Sequence, residues 1–183
     1  MKTKNLERYL ESFGKQVVNR SIAGLGRKKG GNTALAKSIK FEVIKTGNSF
    51  TVQFFMDSYG TFVDKGVSGT KKQRSFKDYK GNVIPSPYNY GTGTSKVGKA
   101  KGGMSGIMTK WIKKKSFQWK DKKTGRFMSH KSMGYLVARS IYSKGIQGIS
   151  FFQKPLGLAM KDFPTLVLKA IRKDISDNLK PKK

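Results

Sequence analysis

The chain has 183 residues, enough for one compact domain or for one domain with an extended arm. It carries 39 lysines and arginines against 10 aspartates and glutamates, so its formal net charge at pH 7 is +29. Self-repulsion on this scale destabilises an isolated compact chain and indicates a polyanionic partner, with nucleic acid favoured over an acidic protein surface or a membrane. The absence of cysteine excludes disulfides, thiolate metal sites and thiol nucleophiles, and the single His130 excludes most histidine-rich metal centres.

The apolar content predicts a folded protein without membrane segments. No apolar run approaches the ~20 residues of a membrane span, and the N-terminal residues lack the apolar core of a secretory signal. We therefore expect a protein made and kept in the cytoplasm. Hydrophobic residues make up 36% of the chain and aromatic residues 11%, which together favour a folded body with extended basic segments over outright disorder.

The N-terminal segment has the periodicity of an amphipathic helix. Four apolar residues recur at steps of four, three and four: Leu6, Leu10, Phe13 and Val17. This spacing places them on one face of a helix over residues 4–27. The basic and glycine-rich run 27–31 would end that helix, and its cations either cap the helix C-terminus or contact a ligand.

Alternating apolar residues on both sides of Thr46-Gly47-Asn48-Ser49 predict a β-hairpin with one buried face. These residues are Phe41, Val43, Phe50, Val52 and Phe54. A short helix should follow and place Tyr59, Phe62 and Val63 in the core before it stops at Gly66. The predicted fold class is α+β, with a long N-terminal helix, a small antiparallel β-sheet built around the hairpin, C-terminal helices and a long basic arm.

The basic arm is the segment 68–106, which is rich in glycine, lysine and serine and contains Pro85 and Pro87. A loop of this length inside a domain is either mobile or ordered by a neighbour, and we favour ordering by a neighbouring copy in a homo-oligomer. We predict a single α+β domain over residues 1–183, with 68–106 as an inserted arm and residues 180–183 as a frayed tail.

Further helices are predicted in the second half of the chain. The pairs Ile107/Trp111 and Met108/Ile112 indicate one helix, with Ser105 as its cap. Ser129 can cap another over about 130–144 that ends at Gly145, with four residues facing inward: Met133, Leu136, Val137 and Ile141. Two more helical stretches follow, near 155–160 and 164–179, each with a proline near its first turn.

Half of the excess charge lies in the middle third of the sequence. Residues 68–131 carry 17 basic and 2 acidic groups, against 12 and 5 in residues 1–67 and 10 and 3 in residues 132–183. The candidate polyanion-facing residues are Lys71, Lys72, Arg74, Lys96, Lys99, Lys101, Lys113, Lys114, Lys115, Lys122 and Lys123. Because 32 of the 39 basic residues are lysine, diffuse and salt-sensitive contact with phosphates is favoured over bidentate reading of bases.

Aromatic residues alternate with these cations. They either stack nucleic-acid bases or pack the arm onto adjacent subunits, and we favour packing. The candidate subunit-interface residues are Phe76, Tyr79, Tyr88, Tyr90, Trp111, Phe117, Trp119, Phe151 and Phe152. The aromatic residues Phe151 and Phe152 either anchor the last helices or fill a pocket on the adjacent ring.

The sequence offers little for catalysis, and we predict no enzyme, no catalytic residue, no metal site and no cofactor. Clustered carboxylates or a histidine base would be needed to act on phosphodiesters, and the few here are spread along the chain. Asp57 and Asp64 fit a helix cap and a surface ion-pair partner for Lys65 better than a metal site. His130 fits a solvated or capping role at a helix start.

The order of these elements resembles the neck, or tail-completion, proteins of tailed bacteriophages. The resemblance rests on Tyr59-Gly60-Thr61-Phe62-Val63-Asp64-Lys65-Gly66 and on Gly148-Ile149-Ser150-Phe151-Phe152-Gln153-Lys154-Pro155 before a terminal helix. The segments 54–57, 63–70 and 121–127 are similar to crAss-like podovirus versions. Family members carry glutamate and then Gly-Thr where this chain has Asp64-Lys65-Gly66.

The resemblance implies a structural virion protein in the head–tail connector. Identical subunits would form a ring, with 12 copies favoured by the symmetry of the portal and 6 as the tail-side alternative. Its partners would be the portal or adaptor protein, the tail ring proteins and non-specific double-stranded DNA, with no membrane and no small-molecule substrate. A monomeric basic nucleic-acid-binding protein of ribosomal or nucleoid type is the alternative, and a small nuclease ranks third.

Overall fold

The structure is a computed structural model that describes residues 3–29, 33–47, 49–90 and 103–180. It confirms the α+β class, with a long N-terminal helix, small two-stranded antiparallel sheets and C-terminal helices. The helices are α1 (Lys4–Lys29), α2 (Ala34–Ser38), α3 (Gly60–Lys65), α4 (Gly103–Lys114), α5 (His130–Lys144) and α6 (Gln153–Leu179). The strands are β1 (Lys40–Thr46), β2 (Ser49–Phe55), β3 (Gly66–Val67), β4 (Ser75–Lys77), β5 (Val83–Pro85) and β6 (Ile146–Gln147).

The chain divides into two compact units. Unit 1 combines residues 1–65, 76–84 and 149–183, and unit 2 combines residues 66–75 and 85–148. The long helices and the β1–β2 hairpin belong to unit 1, while α4 and α5 belong to unit 2. Of the predicted tail, residues 181–183 lie outside the described part of the chain.

Helix α1 confirms the N-terminal prediction and packs along α6 in unit 1. Leu10, Phe13 and Val17 are buried, because the apolar stripe faces α6 and the hairpin. The ring centroids of Phe13 and Phe163 lie 4.8 Å apart in an edge-to-face arrangement. Gly30 and Gly31, which were expected to end the helix, are outside the described part of the chain.

The predicted hairpin is confirmed, and the structure gives its register. Strands β1 and β2 pair antiparallel, with Phe41 opposite Phe54 and Val43 opposite Val52. Half-buried apolar residues alternate with exposed residues over 40–44 and 49–55, so one face lies against α1 while the other meets solvent. Gly47 occupies the turn with a φ of +59°, a left-handed conformation that glycine adopts without strain.

Two apolar clusters form the core of unit 1. One is centred on Leu25, Leu35 and Phe151, and the other on Phe13, Val17 and Ala159. Phe152 packs against both clusters. The segment before α6 therefore ties the N-terminal helix, the hairpin and the last helix together.

The prediction of two separate final helices is wrong, because α6 is continuous from Gln153 to Leu179 with Pro164 inside it. Proline removes one backbone hydrogen bond from a helix interior. Phe163, the residue before it, packs against Phe13 and Tyr9 of α1, and these contacts hold the helix across the interruption.

The expected inward positions on α3 are also wrong in part. Tyr59 and Phe62 are 43% and 42% exposed, whereas Val63 packs against the core. The residues of α3 that are buried are Gly60 and Asp64. A Cβ on Gly60 would approach the Leu35 side chain to 2.9 Å, so a larger residue there would make the Leu35 and Met56 side chains shift.

In unit 2, α4 and α5 pack against each other through the fully buried Ile112 and Met133. Ser129 caps α5 by accepting a hydrogen bond from the Ser132 N–H, and Gly145 ends the helix, both as predicted. Leu136, expected to face inward, is 43% exposed, so that prediction is wrong.

The first part of the predicted arm contains short strands. Strands β4 and β5 are hydrogen-bonded neighbours, and the Ser68 N–H donates to the Tyr88 carbonyl at 2.7 Å. The Ser68 hydroxyl accepts from the Arg74 N–H, which stabilises the turn before β4. Residues 91–102 of the arm lie outside the part of the chain that the structure describes.

Candidate functional site

The basic charge is concentrated in unit 2. Unit 2 has 17 lysines and arginines against a single acidic residue, Asp121, for a net charge of +16. The larger unit 1 has 22 basic and 9 acidic residues, for a net charge of +13. Unit 2 is therefore the natural place to look for a polyanion-binding surface.

The cations of unit 2 have no acidic partners in the described ranges. The described residues form the ion pairs Lys45–Glu7 and Lys180–Asp177, and both pairs belong to unit 1. The Asp121 carboxylate instead accepts the N–H groups of Thr124 and Lys123, which lower its pKa and keep it ionised. An incoming phosphate would therefore meet lysines that no neighbouring carboxylate neutralises.

The outer face of α4 combines apolar and basic side chains. Ile107, Lys110, Trp111 and Lys114 recur at helical spacing and are all exposed, whereas Ile112 on the opposite side is buried against α5. The helix ends where Ser116 adopts a positive φ of 53°. The outer face of α4 thus presents the exposed Trp111 ring beside Lys110 and Lys114.

A short hairpin-like segment, residues 119–128, follows α4. The Met128 N–H donates to the Trp119 carbonyl at 2.8 Å, and Lys120 and Phe127 form an isolated antiparallel bridge. The Asp121 hydrogen bonds fix the turn between them. This segment carries Trp119 and Phe127 next to five cations: Lys120, Lys122, Lys123, Arg126 and, just beyond it, Lys131.

The predicted polyanion-facing residues fall into three groups. Exposed side chains in unit 2 are Lys71, Lys72, Lys113, Lys114, Lys115, Lys122 and Lys123. Arg74 is half-buried and donates to the Lys144 carbonyl and to Gln147, so part of its guanidinium is engaged within unit 2. Lys96, Lys99 and Lys101 lie outside the described residues.

The predicted interface aromatics are split between core and surface. Phe76 and Phe151 are 8% and 2% exposed, so their rings belong to the core of unit 1. Phe152 lies between the two core clusters. Tyr88 and Tyr90 are half-buried, and burial raises the pKa of Tyr90. The exposed aromatic residues are Tyr79, Trp111, Phe117 and Trp119.

The two segments that carry the family resemblance meet in unit 1. The Val63 and Asp64 carbonyls accept the N–H groups of Ile149 and Ser150, both at 3.0 Å. The Asp64 carboxylate accepts the Phe152 N–H at 2.8 Å. Asp64 is 3% exposed, so its predicted role as a surface ion-pair partner is wrong.

Asp174 is a second buried carboxylate that the sequence did not reveal. Its oxygens accept the backbone N–H groups of Asn5 and Leu6 at 2.8 and 2.9 Å. Burial raises its pKa, but these bonds and the Asn5 side chain outweigh burial and lower the pKa of Asp174. Asp174 on α6 thus caps the N-terminus of α1. Local sequence patterns did not predict this role, because the contacting residues are far apart in the chain.

Unit 1 also contains an apolar groove. The groove of about 520 Å³ between the hairpin, α1 and α6 is lined by apolar side chains such as Phe50, Val52 and Met160. No group of three or more histidine, aspartate or glutamate side chains is placed to hold a metal ion within the described ranges. Asp57 is exposed while Asp64 is buried, so the two do not share a solvent-facing site.

No protein-family model, curated protein or solved structure matches this chain. Among the residues that the structure describes, no helix is long and apolar enough to cross a bilayer. The described surface of unit 2 offers electrostatic contact through exposed lysines and stacking through exposed aromatic rings.

Proposed function

We propose that this chain is a structural subunit of the head–tail connector, or neck, of a tailed bacteriophage. In this proposal identical copies form a ring around the passage for double-stranded DNA. The main support is a set of hydrogen bonds around Asp64. These bonds connect residues 59–66 with residues 148–155, the two segments on which the family resemblance rests. Two matching segments that are distant in sequence but joined in space support a common structural core better than two unrelated short matches would.

An exposed apolar stripe on α6 supports self-assembly. Leu168, Ile175 and Leu179 are 55%, 44% and 78% exposed, and their spacing of seven and four residues places them on one side of the helix. The buried Asp174 lies on the side that faces α1. A neighbouring subunit that covers this stripe would remove it from water, as closed rings with heterologous interfaces require.

The charge of unit 2 supports a location next to DNA. Duplex DNA carries one negative charge per ~1.7 Å of its axis, and lysines neutralise it without the bidentate geometry that arginine offers. Such contact is independent of sequence and weakens as salt rises, which suits a polymer that must move past the protein.

Native mass spectrometry of the purified chain at about 0.15 M salt tests the proposal. We expect a closed oligomer of six or twelve copies that needs no nucleic acid. The double variant Leu168→Lys/Ile175→Lys should dissociate it, because it places two charges in the stripe. Ser176→Lys adds a charge one position further along α6, about 100° around the helix from Ile175, and should leave the oligomer intact.

Two results would contradict the ring. A monomer whose mass changes only when one structured RNA is added would favour the ribosomal or nucleoid alternative. An oligomer that Ser176→Lys disrupts as strongly as the double variant would show that added charge, and not the apolar stripe, controls assembly.

A further inference from the structure

Four exposed aromatic residues in unit 2 lie within one short basic segment, residues 107–127. Trp111, Phe117 and Trp119 are 42–43% exposed, and Phe127 is 62% exposed. The segment also carries eight cations and the single acidic residue Asp121. Single exposed rings occur elsewhere in the chain, as at Tyr59, but several exposed rings in one segment form an apolar patch, and such patches mark interaction sites.

We propose that this segment is a binding site for single-stranded nucleic acid, with its lysines on the phosphates and its aromatic rings stacked on unpaired bases. The inference rests on the surface of unit 2 and does not require the ring.

The first part of the site is the pair Trp111 and Phe117 at the end of α4. The positive φ of Ser116 reverses the chain, and the Phe117 N–H then donates to the Ile112 carbonyl at 3.2 Å. The two ring centroids lie 5.2 Å apart with their planes at 55°. Each ring is supported by the other and keeps an open surface, so neither needs reordering to receive a base.

The second part is the hairpin-like segment that begins at Trp119. Only one residue separates Phe117 from Trp119, so their Cα atoms are at most ~7 Å apart. The Lys120–Phe127 bridge places the Lys120 Nζ atom 5.0 Å from the centroid of the Phe127 ring. An ammonium group beside an exposed ring can bind a phosphate while the ring stacks on the adjoining base.

Within the described residues, no carboxylate competes with phosphates for the cations of the segment. The Asp121 carboxylate is engaged by backbone N–H groups, and no cation of the segment forms an ion pair in the described residues. A purely electrostatic surface would prefer duplex DNA, which has the higher charge density. Exposed rings reverse this preference, because bases in a duplex already stack on one another and offer no free face.

The intrinsic fluorescence of the full-length chain provides a direct test. The chain has two tryptophans, Trp111 and Trp119, and both lie in the proposed site. Oligomers of deoxythymidine and of uridine, about 20 nucleotides long, should quench this fluorescence, since stacking does not depend on the sugar. A duplex and an abasic oligomer of equal length should leave it unchanged, because they supply phosphates without free bases.

Substitutions separate stacking from charge. Phe127→Ala should weaken binding of the thymidine oligomer by about tenfold, within the range found for loss of one stacking side chain, and leave duplex binding within about twofold. Tyr59→Ala removes an aromatic ring of similar exposure from unit 1 and should change neither affinity. Lys122→Gln/Lys123→Gln should weaken both ligands and lower the salt dependence of binding.

The proposal would be overturned if duplex and thymidine oligomers bound equally well, or if the thymidine oligomer left the tryptophan fluorescence unchanged. Trp111→Ala provides a second stacking variant, and if neither it nor Phe127→Ala weakens single-strand binding, the aromatic rings do not stack on bases. Because the readouts are fluorescence and affinity, failure here is distinguishable from failure of ring assembly, which is read as mass.

Discussion

The two units use their acidic residues in opposite ways. Unit 1 holds nine of the ten carboxylates and buries two of them, Asp64 and Asp174, against backbone N–H groups that begin helices. Unit 2 has a single carboxylate, Asp121, which accepts hydrogen bonds from backbone N–H groups in a turn. Its lysines form no ion pair with an acidic residue in the described part of the chain. Unit 1 thus uses hydrogen bonds to buried carboxyl groups to hold its fold together, whereas unit 2 leaves its positive charge available to another molecule.

Asp64→Ala should produce the largest loss of stability. It would leave the Phe152 N–H without its acceptor in a buried region, and we expect the free energy of unfolding to fall by about 3 kcal/mol. Asp64→Asn keeps an oxygen at the same place and should cost much less. Chemical denaturation of both variants measures the difference, and equal losses would contradict the hydrogen-bond explanation.

The pH dependence of Asp64 has a definite sign. Burial raises its pKa, although hydrogen bonds from Phe152 and Gln153 oppose the shift. Because the folded protein binds this proton more tightly than the unfolded chain does, protonation of Asp64 stabilises the fold. This contribution is complete below the unfolded pKa of ~3.9 and is lost as pH rises through the folded pKa. The wild type should gain stability relative to Asp64→Asn as pH falls from 7 to about 4, and a relative loss over this range would contradict the assignment.

Gly134→Ala should destabilise unit 2 by about 2 kcal/mol. A Cβ at this position would lie 2.9 Å from the Thr109 N atom and 3.0 Å from the Ser105 carbonyl oxygen, so α4 and α5 would have to separate. Hydrogen exchange should show faster exchange in these two helices. The control Ser140→Ala changes an exposed position on α5 and should have no such effect.

Asp174→Ala should destabilise unit 1 by about 1.5 kcal/mol, the range of a lost helix cap. The pKa of Asp174 is lowered, so its contribution is present above the unfolded pKa of ~3.9 and is lost as pH falls through the folded pKa. Thermal unfolding of the wild type and the variant should therefore converge in acid. Asp162→Ala, an exposed acid on the same helix, should stay near the wild type at every pH.

Lys122→Gln/Lys123→Gln should have the smallest effect on stability, within about 0.5 kcal/mol. Neither lysine is paired with an acid in the structure, so no attractive contact is lost. Urea unfolding at low salt measures the change. A loss above 1 kcal/mol would mean that these lysines support the fold, and the contrast between the two units would fail.

Local patterns predicted much of the fold. The α1 stripe, the β1–β2 hairpin and both ends of α5 follow from residue spacing, turn chemistry and capping, which depend on neighbours in sequence. The continuity of α6 did not follow, because Pro164 is a local stop signal that tertiary packing of Phe163 overrides. The exposure of Tyr59 and Phe62 was missed for the same reason, since α3 packs through Gly60 and Asp64.

The candidate site was predicted only in outline. The sequence located the charge and the aromatic residues of the middle third, and Trp111, Phe117 and Trp119 are indeed exposed. It could not separate them from Phe76 and Phe151, whose rings are buried. The burial of Phe151 depends on contacts with Leu25 and Leu35, which are distant in sequence. Phe127 was not singled out, although its alternation with cations after Trp119 was a usable signal.

The hydrogen bonds between Asn5 and Asp174 also bear on how the chain folds as it is synthesised. These contacts join residues 169 positions apart, and unit 1 is assembled from three separate pieces of the chain, the last of which is α6. Unit 2, by contrast, consists mainly of one continuous stretch that leaves the ribosome before α6 is made. The α4–α5 pair can therefore form early, while α1 waits for its cap and its packing surface until α6 has been synthesised.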